Sequence, residues 1–197
     1  MAVTSQNYVV GAVGHIYLAP AGTAAPDATN EALSTPTTPW EELGFVGSGE
    51  NGGDNLPSWS SDGGDKTVLG AWNNSAVRTI TDALTETLNF TVSSFERTAL
   101  QLYTSADGGD TTGRFDVLGT EVGKGVERAL LVVIHDGPIR VGFYSPRANI
   151  SRGDDITISQ DDAVVFPLAA TLLDPTGGGP RYSWIAPDLL EIEETTD

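Results

Sequence analysis

The sequence predicts a mainly β fold, a β-sandwich of two packed antiparallel sheets with one flanking α-helix. Residues 128–174 alternate short apolar runs, rich in β-branched residues, with Gly, Asp and Pro turns. Residues 84–92 alternate between a mostly apolar and a polar face, as expected of a half-buried strand. Only residues 94–103 have helical spacing. A chain of 197 residues is a common size for a β-sandwich that forms one domain.

Two short strands and two loops are predicted before residue 75. Residues 9–18 form a strand, and their glycines weaken it or mark a bulge. Residues 19–39 are a loop because their prolines exclude regular structure, and residues 40–46 form a second strand. Residues 47–74 show no clear periodicity, so we predict a long loop. Loops of this length are usually functional or disordered, and the two tryptophans argue against disorder because large aromatic side chains seek burial.

A strand pair followed by the single helix is predicted in the middle of the chain. Residues 76–81 and 85–93 are the two strands, and we expect them to pair with each other. Ser93 and Glu96 match a capping box, which places the helix at residues 94–103. The glycine-rich residues that follow are expected to end it.

A β-meander is predicted in the C-terminal half, after a short strand at residues 115–118. Residues 129–134 are β-branched and too few for a typical helix, which favours a strand buried on both faces. An Asp-Gly turn joins this strand to residues 139–144 in a hairpin, and Pro146 is expected to end the second strand. Further short strands are predicted at residues 149–150, 156–158 and 163–173.

Residues 1–175 are predicted to form one β-sandwich domain that includes the long loop at residues 47–74. Residues 176–197 are predicted to be an acidic C-terminal extension. The last ten residues hold five acids and no base, which favours a solvated end or a short interaction arm.

Charge is the strongest compositional feature, because 27 acidic residues against 10 basic ones give a net charge of −17. Such a surface repels phosphates, so we predict that the protein does not bind nucleic acid. The acidity serves either solubility alone or a surface that must stay near DNA without binding it. The absence of cysteine excludes disulfides. Without a bilayer-spanning apolar run or a signal-peptide pattern, we expect a soluble cytosolic product, or one that is assembled in a cytosol, with no membrane partner.

The segment YSPRANISRGDDITISQDDAVVFPLAATLLDP, residues 144–175, resembles the C-terminal part of major tail proteins, the tail-tube subunits of long-tailed bacteriophages. The similarity is one of order: a strand, Pro-x-Ala, a Gly-Asp turn, a strand, Asp-Asp and a last apolar strand. The N-terminal half is similar in the same way, so the resemblance covers residues 8–175. It implies the phage tail-tube fold.

This resemblance also implies a structural virion protein of the tail. Its rings, expected to be hexameric, would stack into the tube through which DNA is delivered. The implied partners are other copies of the chain, the tape measure and tail terminator proteins, and DNA only in transit; assembly is expected in the host cytoplasm. The resemblance further implies that the long loop reaches neighbouring subunits. Its large apolar residues are the candidates for that contact: Leu56, Trp59, Leu69 and Trp72.

Charged residues supply further candidates for the tube. A lumen wall must not bind phosphate, so we expect acids at strands and strand ends to line it. The candidates are Asp82, Glu86, Asp161 and Asp162. Because Glu86 shares a strand face with Leu88 and Phe90, an inward orientation is its alternative. Arginine suits bidentate carboxylate contacts between subunits, and the candidates are Arg78, Arg97, Arg128, Arg140 and Arg147.

No catalytic or cofactor motif is found. The chain has two histidines, no nucleophile elbow and no zinc-type cluster, so we predict neither an enzyme nor a bound metal or cofactor. The Asp-Gly-Gly-Asp sequences at residues 62–65 and 107–110 favour turns over calcium loops. The alternative function is a carbohydrate- or calcium-binding β-sandwich module of a phage adhesin. A contractile-tail or secretion-tube relative would share the fold.

Overall fold

The computed structural model describes residues 8–11, 13–48, 53, 55–120, 122–156, 158, 160 and 163–190. Within these residues the chain forms ten β-strands and two short α-helices. The first six strands are β1 (Val13–Pro20), β2 (Glu41–Glu42), β3 (Ser58–Gly63), β4 (Lys66–Ala71), β5 (Asn74–Thr81) and β6 (Leu84–Val92). The last four are β7 (Val126–Asp136), β8 (Ile139–Arg152), β9 (Phe166–Leu172) and β10 (Ser183–Ile185). The helices are α1 (Asn30–Ser34) and α2 (Arg97–Thr104).

Eight of the strands form one antiparallel sheet in the order β2-β1-β7-β8-β9-β6-β3, with β10 as an additional partner of β8. One edge of β8 pairs with β7 along most of its length. Its other edge is divided, since residues 142–144 pair with β10 and residues 148–152 pair with β9. β4 and β5 form a separate two-stranded sheet. The predicted mainly β, antiparallel architecture is confirmed.

The two ends of the large sheet enclose the main hydrophobic core. Buried side chains of β1 and β7 share this core with side chains of β6 and β9, and Ala99 and Leu102 of α2 pack into it. Its largest fully buried members are Ile16, Leu43, Leu88, Leu102, Leu130, Phe143, Ile150, Phe166 and Leu168. This packing is consistent with the predicted β-sandwich, and α2 is the predicted flanking helix.

A second buried cluster lies on the opposite face of β1 and β7. Successive residues of a strand point to opposite faces, so Tyr17 and Ala19 of β1 reach this cluster while their neighbours reach the main core. Helix α1 covers the cluster with Leu33, which is fully buried, and the Thr29 hydroxyl caps the helix N-terminus. The predicted loop at residues 19–39 therefore contains a short helix that the sequence analysis missed.

The predicted hairpin between β7 and β8 is confirmed. Residues 129–133 are all buried, as expected of a strand covered on both faces. Gly137 and Pro138 form the two-residue turn between the paired residues Asp136 and Ile139. Gly137 has φ +55°, and glycine at the first turn position suits the type II′ turns that join twisted strands.

Strand β8 continues past Pro146, so the prediction that this proline ends the strand is wrong. The β7–β8 register shifts between Arg128 and Leu130, and Pro146 falls at this bulge. A bulge tolerates proline because the ladder does not require its missing N–H there. The Pro146 carbonyl accepts a hydrogen bond from the Gly22 N–H at 2.8 Å. The residues predicted as a separate strand at 149–150 belong to β8.

Residues 47–74 are not the predicted long loop. They contain β3, which pairs with β6, and β4, which pairs with β5. The predicted pairing of residues 76–81 with residues 85–93 is therefore wrong, because β5 pairs with β4 while β6 lies between β3 and β9. The glycines within residues 47–74 interrupt the apolar alternation by which strands are identified in a sequence.

Helix α2 begins at Arg97, so the predicted capping box is wrong. Ser93 Oγ donates a hydrogen bond to the Phe45 carbonyl, and Ser94 Oγ accepts one from the Phe45 N–H at 2.5 Å. Both hydroxyls thus hydrogen-bond the backbone of Phe45 and do not cap the helix. Glu96 takes the N-cap position without a side-chain cap bond. The helix ends at Thr104, one residue beyond the prediction, and its C-cap Ser105 has the left-handed conformation that glycine usually supplies.

Three further segments differ from the prediction. Residues 115–118 form no strand, because only an isolated bridge joins Asp116 to Gly108. Ile156 and Ile158 also lie outside any strand, and residue 157 is outside the described residues. β10, within the segment expected to be an extension, pairs with β8 of the main sheet.

Substitution in the main core tests this assignment of the core. Leu130→Ala should lower the free energy of unfolding by about 2–5 kcal/mol, because it leaves a cavity among close-packed side chains. Leu130 is fully buried, whereas Leu118 is 62% exposed. Leu118→Ala is therefore the matched control and should change that free energy by less than about 0.5 kcal/mol. Urea denaturation of the free chain measures both, and equal losses would contradict the assigned core.

Candidate interaction surfaces

Strands β3 and β6 continue beyond the main sheet as a second strand pair, β4 and β5. One register runs through both pairs, because Gly63 pairs with Leu84 in the first and Lys66 pairs with Thr81 in the second. The two pairs thus form one long hairpin with a short interruption. We call its outer part, residues 66–81, the arm.

The junction between the arm and the main sheet requires glycine. Gly63 has φ +89°, and a Cβ atom at this position would lie 2.2 Å from the carbonyl oxygen of Ala83. On the other side of the interruption, the Asp82 N–H donates to the Asp65 carbonyl at 2.9 Å. This hydrogen bond keeps the two strands together where the ladder is broken.

The arm is exposed along its whole length, since every residue of β4 and β5 is exposed. Trp72 lies in the turn at its tip and is fully exposed. The other large apolar side chains exposed on the arm are Val68, Leu69, Val77 and Ile80. A two-stranded ribbon is at best marginally stable in water, and exposed apolar patches mark interaction sites. Within the described part of one chain, the arm therefore lacks a packing partner.

The charge of the arm is opposite to that of the whole chain. The arm contains Lys66 and Arg78 and no acidic residue, in a chain of net charge −17. Among the residues that the structure describes, neither Lys66 nor Arg78 has a side-chain hydrogen bond or an ion pair. Arg78 is among the interface arginines predicted from the sequence, whereas Lys66 is not. A basic run without acids in so acidic a chain is the signal that could have found it.

Two of the four predicted apolar contact residues, Leu69 and Trp72, lie on the arm. Trp59 lies on β3 and is 41% exposed. Its ring centroid is 5.3 Å from that of Phe143 and 5.5 Å from that of Trp184, so it belongs to an aromatic cluster within the chain. Leu56 precedes β3 and lines a cavity of about 560 Å³. The structure thus separates the four candidates into three places.

The predicted lumen acids also lie in different environments. Asp82 is exposed at the base of the arm. The Glu86 carboxylate accepts a hydrogen bond from the Tyr182 hydroxyl at 3.0 Å and lies 3.6 Å from the Arg181 guanidinium. Its charge is therefore balanced within the chain. Asp161 and Asp162 lie outside the described residues.

Four of the five predicted interface arginines have partners within the chain. Arg147 forms a two-bond pair with Glu127, with N–O distances of 2.8 and 2.9 Å, which holds the pKa of Glu127 below its ordinary value. Arg140 donates to the Ser34 hydroxyl. Arg97 and Arg128 donate to backbone carbonyl groups. Of these four, only Arg147 is paired with a carboxylate, and Arg78 is the member of the set that has no side-chain hydrogen bond among the described residues.

The outward face of β6, β9 and the second half of β8 carries small polar and apolar side chains. Thr87 and Thr171 are cross-strand partners at its centre. Their neighbours on the same face are Asn89, Asn149, Ser151, Pro167 and Ala169. Arg147 lies at its border, where Glu127 neutralises it. Within the described part of the chain, this face offers no unpaired cation to a phosphate.

The two histidines lie side by side on β1 and β7. The ring centroids of His15 and His135 are 5.0 Å apart, and Glu42 Oε1 lies 2.6 Å from His15 Nδ1. His135 Nε2 is buried and has no hydrogen-bond partner among the described residues. Burial lowers the pKa of His135 below its ordinary value of 6.5, and the charges of Arg140 and His15 lower it further.

A metal centre is not found in the described part of the chain, where no three His, Asp or Glu side chains could hold an ion. Both Asp-Gly-Gly-Asp sequences contain left-handed glycines, but neither is a turn, because residues 62–65 join β3 to β4 within one hairpin and residues 107–110 lie in the loop after α2. No helix among the described residues is long and apolar enough to cross a membrane. The features of the described chain that stand out are therefore surfaces, namely the arm and the uncharged sheet face.

Comparisons with known proteins agree on one family. The family model for the phage tail tube protein matches residues 1–196. The major tail protein Gp23 of Mycobacterium phage L5 is 32% identical to this chain. The alignment is 210 residues long and covers 100% of this chain and 100% of that protein. The major tail protein Gp23 of Mycobacterium phage D29 is 34% identical over 203 residues, which cover 98% of this chain and 97% of that protein.

The environment of His135 predicts a pH dependence of stability. The unfolded chain binds a proton at His135 more readily than the folded one, so the free energy of unfolding should fall as the pH drops from 6.5 towards the lowered pKa. Well above pH 6.5 the imidazole is neutral in both states and its contribution is constant. His135→Gln should flatten this part of the profile. Urea denaturation over about pH 5–8 measures it, and equal slopes in both proteins would contradict the prediction.

Proposed function

We propose that this chain, which belongs to the phage tail tube protein family, forms hexameric rings that stack into the tube through which phage DNA is delivered. The chain is a structural tail tube subunit and a virion component. Its proposed partners are other copies of itself and the tape measure and tail terminator proteins, with assembly in the host cytoplasm. The match over the whole chain favours this function over the adhesin module.

The exposed arm is the observation that best supports self-assembly. A fully exposed ribbon with an exposed tryptophan at its tip is a poor surface for a protein that stays monomeric. If a neighbouring subunit covers the arm, the apolar side chains leave water and the ribbon gains the packing that it lacks. We therefore assign Leu69 and Trp72 to contacts between subunits. Leu56 and Trp59 contribute only where a neighbour reaches the body of the subunit.

The edges of the main sheet also favour a ring. β3 and β2 are its end strands, and a free strand edge leaves backbone groups unpaired. Different edges lie at the two ends, so a contact between them is head-to-tail. Head-to-tail contacts close into a ring when the rotation between subunits permits it.

The wall of the lumen is the second element of the proposal. DNA moves freely only past a surface that does not bind phosphate, because each basic contact adds affinity. The uncharged face around Thr87 and Thr171 meets this requirement. Asp82 remains a candidate for the acidic part of the wall, as do Asp161 and Asp162. Glu86 is a weaker candidate because Arg181 balances its charge.

Removal of the tryptophan at the arm tip should impair assembly without affecting the fold. Trp72→Ala is expected to raise the protein concentration needed for tube formation about tenfold or more, because a tryptophan that becomes buried between subunits is a typical interface hot spot. Its unfolding curve should match that of the wild type, since Trp72 is fully exposed. Light scattering and negative-stain electron microscopy over a concentration series measure assembly. Leu118→Ala is the exposed control.

This self-assembly proposal has a clear negative result. A wild-type protein that stays monomeric at every concentration, with no rings or tubes after long incubation, would contradict it. Trp72→Ala tubes that form at the wild-type concentration would instead remove the arm tip from the interface.

A basic wall should slow the passage of DNA. Thr87→Lys combined with Thr171→Lys places two cations on the proposed wall, and genome ejection should become slower and more dependent on salt. Thr111→Lys, at an exposed loop position, is the control and should leave ejection unchanged. Ejection assays on phage particles with confirmed tubes measure the effect. Unchanged ejection by the double variant would show that this face does not line the lumen.

A further inference from the structure

The side chains of the arm indicate which kind of surface on a neighbouring subunit could bind it. The arm presents an indole at its tip and the unpaired Arg78 on β5, close behind the tip. Arg78 pairs with Leu69, three residues before Trp72, so its backbone lies about 10 Å from the tip along the ribbon. A fitting acceptor therefore has an apolar floor with carboxylates beside it. An acceptor for the arm on a neighbouring subunit rests on the proposed self-assembly.

A groove with these properties lies between β2 and α2. Its volume is about 460 Å³, which has room for an indole side chain. Leu43, Leu102 and Ala106 line it and are almost completely buried, so they form an apolar floor. The charged residues that line it are Glu41, Glu42, Asp107 and Arg128. Three carboxylates against one guanidinium make the groove acidic.

The strand beside the groove can also accept the backbone of the arm. β2 is an end strand of the main sheet, and its two residues, Glu41 and Glu42, pair with β1 on one side only. An end strand offers its free edge to an incoming strand. The ribbon of the arm can therefore lie beside β2 while its tip occupies the groove.

We infer that the groove between β2 and α2 of one subunit receives the arm tip of a neighbouring subunit, with Trp72 on the apolar floor and Arg78 facing Glu41 and Asp107. The two surfaces are complementary in charge, and both are exposed on the same chain. Each copy thus donates one arm and accepts another. Such a contact is head-to-tail and propagates from subunit to subunit.

Reciprocal charge reversal tests this inference. Arg78→Glu should raise the concentration needed for tube formation about tenfold, because it places an acid against the acidic groove. Glu41→Arg combined with Asp107→Arg should do the same. The triple variant should recover assembly, because the pair is restored with opposite signs. Glu42 is left unchanged because His15 binds it.

Mixing the two reversed proteins sharpens the test. Arg78→Glu subunits carry an acidic arm, and Glu41→Arg/Asp107→Arg subunits carry a basic groove. At the concentration where the wild type assembles, neither should form tubes alone, whereas an equimolar mixture should, because alternating subunits satisfy every contact. Arg152→Glu, on β8, is the control for the change in net charge and should assemble as the wild type does.

Cross-linking gives an independent measurement, because the chain has no cysteine of its own. Asn73→Cys at the arm tip and Thr98→Cys at the groove should give a ladder of covalent oligomers after oxidation of assembled tubes. Asn73→Cys with Thr85→Cys, on the outward face of β6, is the matched control and should give none.

The failures can be told apart. A wild-type protein without tubes contradicts the proposed function. Wild-type tubes together with normal assembly of the groove variant, or with a triple variant no better than Arg78→Glu, overturn the groove and leave the proposed function standing. A ladder from the Thr85 control but not from Thr98 would place the arm on the sheet face instead.

Discussion

The structure depends on the hairpin between β7 and β8. Residues 129–133 of β7 are buried on both faces, so this strand holds the main core and the second cluster together. β8 pairs with β7 on one edge and divides its other edge between β10 and β9, on either side of the bulge at Pro146. The bulge thus separates the two halves of the sheet. β9 in turn positions β6, and β6 carries the hairpin that ends in the arm.

The arm and its acceptor are expected to contribute different things to assembly. Burying a tryptophan removes about 150–250 Å² from water, which corresponds to about 4–6 kcal/mol before the costs of association are subtracted. A solvent-exposed ion pair contributes only about 0–1 kcal/mol. Trp72 should therefore supply most of the affinity. Arg78 should set the orientation of the arm in the groove, because the carboxylates of Glu41 and Asp107 attract its guanidinium.

The sequence predicted the core strands well and the periphery poorly. Residues 129–134 have a composition and length that few elements other than a buried strand can accept, and the alternation at Leu88, Phe90 and Val92 fixes the buried face of β6. The arm strands have no buried face, so burial imposes no alternation on residues 66–81. The capping box failed because Phe45, distant in sequence, hydrogen-bonds both serines. The groove could not be predicted either, because it joins Glu41 to Asp107 only through the fold.

Hydrogen exchange on the free subunit and on assembled tubes tests the central claim most directly, namely that the arm lacks a partner in one subunit and finds it in the next. Amides of residues 66–81 should exchange quickly in the free subunit and become strongly protected in tubes, while amides of residues 129–133 should be protected in both. Arm amides that are equally protected in both states would show that the arm is already stable within one subunit, and would contradict the account.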